Sequence, residues 1–224
     1  MTITDKQGRI RKRQFNMLRR NDDSADREQK YFVYFVEPSD VRKMVFMVHK
    51  HVGADRDDDR WLYMPSLDLV KRIAASDKRT SFVGSDFLYE DISGRSPEED
   101  VHELIGTTDA HYVMKNTPKD PDAVEFASYI ARIDKTTFIP MEIEYFKADG
   151  RPYRIIKVLA VESVTAQENG KQVAYPTVVR SQARDLETGS QTDMEFSNVR
   201  YNSGLGDDLF TERYLRRAPS EVMQ

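Results

Sequence analysis

The chain of 224 residues contains no cysteine. That excludes disulfides, a thiolate nucleophile, Cys-ligated zinc and iron–sulfur clusters. It leaves the compartment open, because a chain without thiols is indifferent to redox poise. No run of 18 apolar residues occurs, so no transmembrane helix is expected. The first twenty residues lack the apolar core of a secretory leader. The chain is therefore expected either to be cytoplasmic or to begin after a removed leader. Lys plus Arg number 34 against 38 Asp plus Glu, a net charge of −4, so no global basic field points to nucleic acid. A nucleophile elbow, a phosphate-binding Gly loop and a dinucleotide fingerprint are all missing. Gly204-Leu205-Gly206 follows a strand-like stretch, but no third Gly opens a helix after it. With 38 acids, carboxylate pairs arise by chance, so there is little support for an enzyme. No cofactor or metal is expected.

Aromatic residues are plentiful, with 11 Tyr, 11 Phe and 1 Trp, and argue against a disordered chain. Apolar runs are short, β-branched or aromatic, and end at turn signals. Residues 31–36 form one and stop at Glu37-Pro38. Residues 44–49 form a second. Trp61-Leu62-Tyr63-Met64 is a third, stopped by Pro65. Such runs read as strands buried on both faces or lining a cavity. Short helices are expected over 85–91 and 120–126, and loops over 21–29 and 55–60. The stretch 93–100, with Gly94 and Pro97, is expected to cross between two halves of the chain.

The second half is more regular. Strands are expected over 126–134, 141–146, 154–164, 173–186 and 194–201. Asp149-Gly150, Asn169-Gly170 and Thr188-Gly189 fall between them. Such dipeptides between alternating runs signal hairpins, because a type I′ turn needs positive φ. The pattern describes an antiparallel meander of roughly ten strands. A meander that long must hide its edges, usually by closing or nearly closing into a barrel. A barrel of eight or more strands leaves room for a small ligand. No linker splits the chain, so one domain over residues 1–224 is expected.

Three charged groups have both a functional and a plain reading. His49 and His51 share a face of a strand, and two imidazoles with Asp55 or Asp57 can hold a metal. The plainer reading, two strand-end histidines before a loop, is preferred because spacing fixes no third ligand. The run Asp57-Asp58-Asp59 lacks the alternation, Gly and closing Glu of a calcium loop, and reads as a solvated loop. The basic stretch Gly8 to Arg13 suits anionic headgroups or an acidic partner, but one wet face of an outer strand explains it more simply.

One segment is unlike generic surface. Trp61-Leu62-Tyr63-Met64-Pro65 and Lys71-Arg72-Ile73 precede Ser81-Phe82-Val83-Gly84-Ser85-Asp86-Phe87-Leu88-Tyr89-Glu90-Asp91. Ser85 or Asp86 can cap a short helix carrying Phe87, Leu88 and Tyr89, and Gly84 gives the chain freedom to enter it. These residues resemble the outer membrane lipoprotein-sorting family, the LolA-like proteins of Gram-negative bacteria. Ile133-Asp134, Pro140 and the stretch from Tyr145 to Gly150 resemble the family's central hairpin. Phe210-Thr211 and Tyr214-Leu215 resemble its closing segment. The resemblance covers about residues 10–217, and the Gly-Ser-Asp-Phe block is its specific part. In one departure, relatives often carry a Gly after Pro38-Ser39-Asp40-Val41, where this chain has Arg42-Lys43-Met44.

The resemblance implies a mainly β fold: a curved antiparallel half-open barrel, LolA/LolB-like, with a few short helices covering its concave face. It implies a periplasmic protein whose leader has been removed, carrying lipid or lipoprotein acyl chains between inner and outer membranes. A non-enzymatic accessory module of an inner-membrane exporter of the resistance–nodulation–division (RND) type is the alternative. A lipid hydrolase using Ser85 and Asp86 is a third reading, without a sequence-indicated His. The expected ligand-binding residues are Tyr34, Phe46, Val48, Trp61, Tyr63, Phe82, Phe87 and Ile143. Arg72, Gly84, Ser85 and Asp86 are expected to hold a lid at the helix entry. Nine Met suit an adaptable cavity. Strand parity is left open, because a one-residue slip reverses every face.

Overall fold

The computed structural model describes residues 1–21, 28–51, 53 and 56–223. Fourteen strands occur among them: β1 (Thr2–Thr4), β2 (Ile10–Lys12), β3 (Gln14–Asn21), β4 (Glu28–Glu37), β5 (Val45–His51), β6 (Asp59–Met64), β7 (Leu69–Arg72), β8 (Asp100–Thr107), β9 (His111–Pro118), β10 (Ser128–Asp134), β11 (Pro140–Phe146), β12 (Pro152–Glu168), β13 (Lys171–Asp185) and β14 (Gln191–Glu195). The helices are short: α1 (Tyr89–Ser93), α2 (Arg213–Arg216) and a few single turns. The fold is mainly β and antiparallel, as expected, with few short helices. The sheets stay open and do not close into a barrel.

The chain divides into two compact units. One comprises Met1–Arg11, Phe82–Phe87 and Glu99–Ser203; the other comprises Lys12–Ser81, Leu88–Glu98 and Gly204–Gln224. Each is assembled from three separate stretches of sequence.

The first unit is built on the nine-stranded sheet, in the order β2-β1-β14-β13-β12-β11-β10-β9-β8. Paired residues of antiparallel strands share a face, so the registers can be read straight across. One such row runs Leu104, Met114, Ala131, Ile143, Ile156 and Ala183 over six strands. It continues through Thr192 to Ile3. The opposite face is charged. Arg132 Nη1 donates to Glu142 at 2.6 Å, Lys157 Nζ meets the same carboxylate at 2.8 Å, and Gln182 donates to Asp193 at 2.9 Å. Alternation along the strands thus sets the apolar row against a face of charged pairs, on which Ile155 is the buried apolar exception among the paired residues of β11 and β12.

The turn dipeptides differ in backbone conformation. Asn169 and Gly170 both have positive φ, at 50° and 76°, as a type I′ turn requires. At Asp149-Gly150 only the Gly is left-handed, with φ 80°, and the register shifts beside it. That is a bulged turn of the kind a left-handed Gly makes. After Gly189 the strand spans Gln191–Glu195, earlier than the expected 194–201.

The second unit holds the five-stranded sheet β3-β4-β5-β6-β7. Val45, Phe46, Met47 and Val48 are all fully buried, so β5 is covered on both faces. Leu18, Phe32, Tyr34, Val45, Met47, Trp61, Tyr63 and Val70 share one face by register. Leu209, Phe210, Leu215 and Val222 of the last stretch of the unit pack onto it. Phe46 and Val48 point the other way, and Phe46 meets the ring of Tyr89 in α1 at 5.0 Å.

Several expectations change. Roughly ten strands become fourteen, because short edge strands such as β1, β2 and β7 leave no apolar run to read. The acidic stretch 55–60 is not all loop, since β6 begins at Asp59; Asp55 lies outside the described residues. Of the expected loop 21–29, residue 21 ends β3 and residues 28 and 29 open β4, while 22–27 lie outside the described residues. The helix expected over 85–91 is α1, starting only at Tyr89. It is not capped by Ser85 or Asp86: the Asp91 carboxylate accepts from the Leu88 N–H at 2.6 Å, from inside the first turn. The helix expected over 120–126 shrinks to one turn, Pro121–Ala123, capped by Asp120.

Candidate functional site

The apolar face of the nine-stranded sheet combines an unbroken greasy row with incomplete burial. Leu104 is 56% exposed and Met114, Ile143 and Ile156 are half-buried, whereas Ala131 and Ala183 are buried. Five inter-strand steps of about 4.8 Å make this row ~24 Å long. An aromatic group lies beside it: Phe126, Tyr145 and Tyr153 are buried, with Tyr129, Ile143 and Ile156 packed against them. The Tyr145 ring lies 5.2 Å from both Phe126 and Tyr129.

The Gly-Ser-Asp-Phe block is fixed on the same face. Asp86 accepts hydrogen bonds from Ser190 Oγ and, at 2.7 Å, from Thr192 Oγ1, while its N–H donates back to Thr192 Oγ1 at 2.9 Å. Buried Arg154, on the apolar face by register, donates to the Asp86 carbonyl at 3.0 Å. Phe82 N–H to Phe87 C=O closes the loop at 2.7 Å. Ser85 Oγ donates to the Phe82 carbonyl at 2.7 Å. Its proton is therefore held by the main chain of its own turn. Val83 and Gly84 both lie in the left-handed region, at φ 50° and 76°. For a β-branched residue that conformation is costly, so the surrounding hydrogen bonds hold a strained turn in place. Phe82 and Phe87 are both buried.

A cleft of about 370 Å³ adjoins this turn, lined by Ile3, Lys6, Arg9, Arg11, Gly84 and Ser190 among others. The basic stretch Gly8 to Arg13 supplies part of it, and β2 within that stretch is exposed along its whole length. β2 is the edge strand of its sheet.

The expected ligand-binding residues fall into separate groups. Trp61 and Tyr63 lie together in the core of the second unit, with Tyr34 packed against them. Phe46 and Val48 occupy the reverse face of that sheet. Phe82 and Phe87 flank the strained turn, and Ile143 alone sits in the half-buried row of the nine-stranded sheet. Arg72 does not enter a helix start: it pairs with Asp59 and lies 5.6 Å over the Trp61 ring. Sequence reasoning missed Leu104, Met114 and Ile156. Only the cross-strand register reveals that they share a face with Ile143.

The histidines are each engaged. His49 Nε2 lies 2.7 Å from the Phe210 carbonyl, which can only accept, so that nitrogen carries the proton. His51 Nε2 lies 3.4 Å from Asp59. Burial pushes the Asp59 carboxyl up, but His51, Arg56 and Arg72 more than offset it and hold the group below the usual carboxylate range. The acidic run serves the fold. Asp58 takes Arg60, itself fully buried, at 2.6 Å, and Asp57 takes it at 3.1 Å. Glu90 of the motif is likewise buried, against Arg79, Arg95 at 3.2 Å and Lys78 at 3.5 Å. Removing one partner of such a buried group costs about 3–5 kcal/mol, which gives the motif's acidic residue a structural role. No helix among the described residues is long and apolar enough to cross a membrane.

The model of a family described as "uncharacterized protein" matches residues 27–217. No curated protein matches. Among solved structures, a DUF1329 family protein from Desulfovibrio piger is 26% identical, with a TM-score of 0.83 over 96% of this chain and 88% of that one. A domain provisionally described as an outer membrane lipoprotein-sorting protein, from Vibrio parahaemolyticus, is 24% identical with a TM-score of 0.80, over the same shares of both chains. A LolA superfamily protein from Nitrosomonas europaea is 17% identical, with a TM-score of 0.65 over 95% of this chain and 87% of that one. The last two are similar in fold.

Proposed function

Because the chain belongs to the family of uncharacterized proteins whose model spans residues 27–217, and has the LolA-like fold of the lipoprotein-sorting proteins, we propose that it is a periplasmic, non-enzymatic carrier of lipid or lipoprotein acyl chains. One observation carries the reading: a row of apolar side chains crosses six strands of an open sheet with four of its members, Leu104, Met114, Ile143 and Ile156, incompletely buried, while the reverse face carries charged pairs. An acyl chain gains roughly 0.8 kcal/mol for each CH₂ it takes out of water, and a half-buried apolar face offers that without a rigid, complementary pocket. Met114 adds a side chain that adapts its shape cheaply. Of the residues expected to line the site, Ile143 is the one we retain in contact with the alkyl chain. Phe82 and Phe87 anchor the turn beside it, and Trp61 and Tyr63 belong to the core of the other unit. Ser85, whose hydroxyl closes its own turn, supports a structural reading over a nucleophilic one. Both units belong to one domain over residues 1–224. Transfer between inner and outer membranes, in partnership with an RND-type exporter, is the cellular role this carrier would serve.

Native mass spectrometry after mild purification from a Gram-negative host tests the reading. The wild-type chain is expected to carry co-purifying lipid, and an Ile143→Asp, Ile156→Asp variant that remains folded is expected to lose it. A lipid-free mass for the wild type, together with no binding of a fluorescent fatty acid, would refute the carrier function.

A further inference from the structure

The row on the apolar face does not end in solvent at its β1 end. It runs from Ala183 through Thr192 to Ile3, and Ile3 also lines the cleft beside the strained turn. That cleft carries three cations, Lys6, Arg9 and Arg11, against two carboxylates, Asp5 and Asp86. Both carboxylates are already occupied. Asp5 Oδ1 accepts from the N–H groups of Gln7 and Arg9, and its Oδ2 takes Arg9 Nε at 2.7 Å. Asp86 takes one hydroxyl on each oxygen, from Ser190 and Thr192. Thr188 lies 2.9 Å from Ser190 Oγ, whose proton goes to Asp86, so Thr188 donates inward along the same chain.

Two cations are left over. Lys6 is exposed and has no partner among the described residues. Arg11 makes one long bond, to the Gly84 carbonyl at 3.4 Å. A guanidinium has five donors in a fork that fits phosphate and carboxylate oxygens. The left-handed Gly84 borders Arg11: a Cβ there would lie 3.8 Å from Arg11 Nη1, an ordinary contact, so its φ of 76° rather than crowding favours glycine.

We propose that this cleft binds the anionic group, a phosphate above all, of an acylated molecule whose alkyl chain extends past the buried Ile3, Thr192 and Ala183 to the half-buried stretch of the row from Ile156 to Leu104, with Lys6 and Arg11 as its ligands. The proposal rests on the carrier reading and specifies its cargo class: an anionic amphiphile, oriented with its charge at the β1 end. Because the two cations are exposed, their contribution is screened by salt, with a Debye length of about 3 Å at 1 M.

Displacement of a fluorescent fatty-acid probe by hexadecyl phosphate, hexadecanol and inorganic phosphate separates the possibilities, using the full chain and its Lys6→Gln, Arg11→Gln variant. Hexadecyl phosphate is expected to bind about tenfold more tightly than hexadecanol to the wild type, the size of effect that one or two charge-assisted hydrogen bonds give. The ratio is expected to fall to about one in the variant, and in 1 M salt. A Lys6→Arg, Arg11→Lys variant, which keeps both charges, is expected to retain most of the preference. Equal affinity for the two amphiphiles in the wild type would overturn the headgroup site and leave the carrier reading standing. Inorganic phosphate bound at Lys6 and Arg11 by nuclear magnetic resonance, without any preference for the phosphate ester, would mark a free-anion site and overturn it too. Failure of every amphiphile to displace the probe, or of the probe to bind, would remove both readings together.

Discussion

Lys43 shows how much a single backbone angle can carry. It is exposed, yet its φ is 66°, a region that costs an L-residue about 1–2 kcal/mol. It stands in the stretch after Pro38-Ser39-Asp40-Val41, where the resemblance implies a Gly. The departure visible in the sequence is therefore a strained residue in the structure. The Lys43 N–H still donates to the Phe35 carbonyl at 2.8 Å, so the turn forms in spite of the strain. Lys43→Gly relieves the strain, removes no buried surface and adds some unfolded-state entropy. It is expected to raise stability by about 0.5–1 kcal/mol, read as a higher urea midpoint at unchanged slope. A lower midpoint would show that the Lys side chain contributes more than its backbone costs. Residues fixed by hydrogen bonding rather than by hydrophobic pattern were the hardest to place. Glu90 reads as an ordinary surface acid in the sequence, and nothing local announces the three cations around it.

At the scale of elements, the turn spanning Phe82–Phe87 differs from strand β7, although the sequence motif joins Arg72 to Asp86. Asp86 holds two hydroxyls of which Thr192 is fully buried, while Arg72 makes a solvent-exposed pair with Asp59. Removing an acceptor from a buried donor costs about 1–3 kcal/mol; an exposed ion pair contributes at most about 1 kcal/mol. Asp86→Ala is therefore expected to lower stability by about 2 kcal/mol and Arg72→Ala by less than about 1 kcal/mol, measured by denaturant unfolding. Equal losses, or none for Asp86→Ala, would contradict the assignment of the turn's anchor. The elements themselves were legible where a physical period imposed them. The hairpins from β11 to β13 announce themselves through alternation and a left-handed Gly. The class of fold and its antiparallel order followed. What stayed hidden was register: Leu104, Met114, Ile143 and Ile156 meet only through pairing across strands, which no local pattern encodes. The same ignorance of parity placed Trp61 and Phe46 in one expected site, although they point to opposite faces of one sheet.

At the scale of the molecule, the chain visits its two compact units alternately, and each is completed by three separated stretches. No single cut in the sequence would release either one whole. The proposal of one domain over residues 1–224 follows from that threading. It predicts one cooperative thermal transition, with intrinsic Trp61 fluorescence and far-ultraviolet dichroism changing together. Trp61 reports the five-stranded sheet and the dichroism reports both sheets, so two separated transitions would break the chain into independent domains. The central claim concerns the larger sheet, whose apolar face we take to be the seat of an alkyl chain. Photo-crosslinking with a diazirine-bearing fatty acid, followed by peptide mapping, tests it most directly. Label is expected on the peptides carrying Leu104, Met114, Ile143 and Ile156. Label confined to other peptides, with that face untouched at saturating ligand, would contradict it.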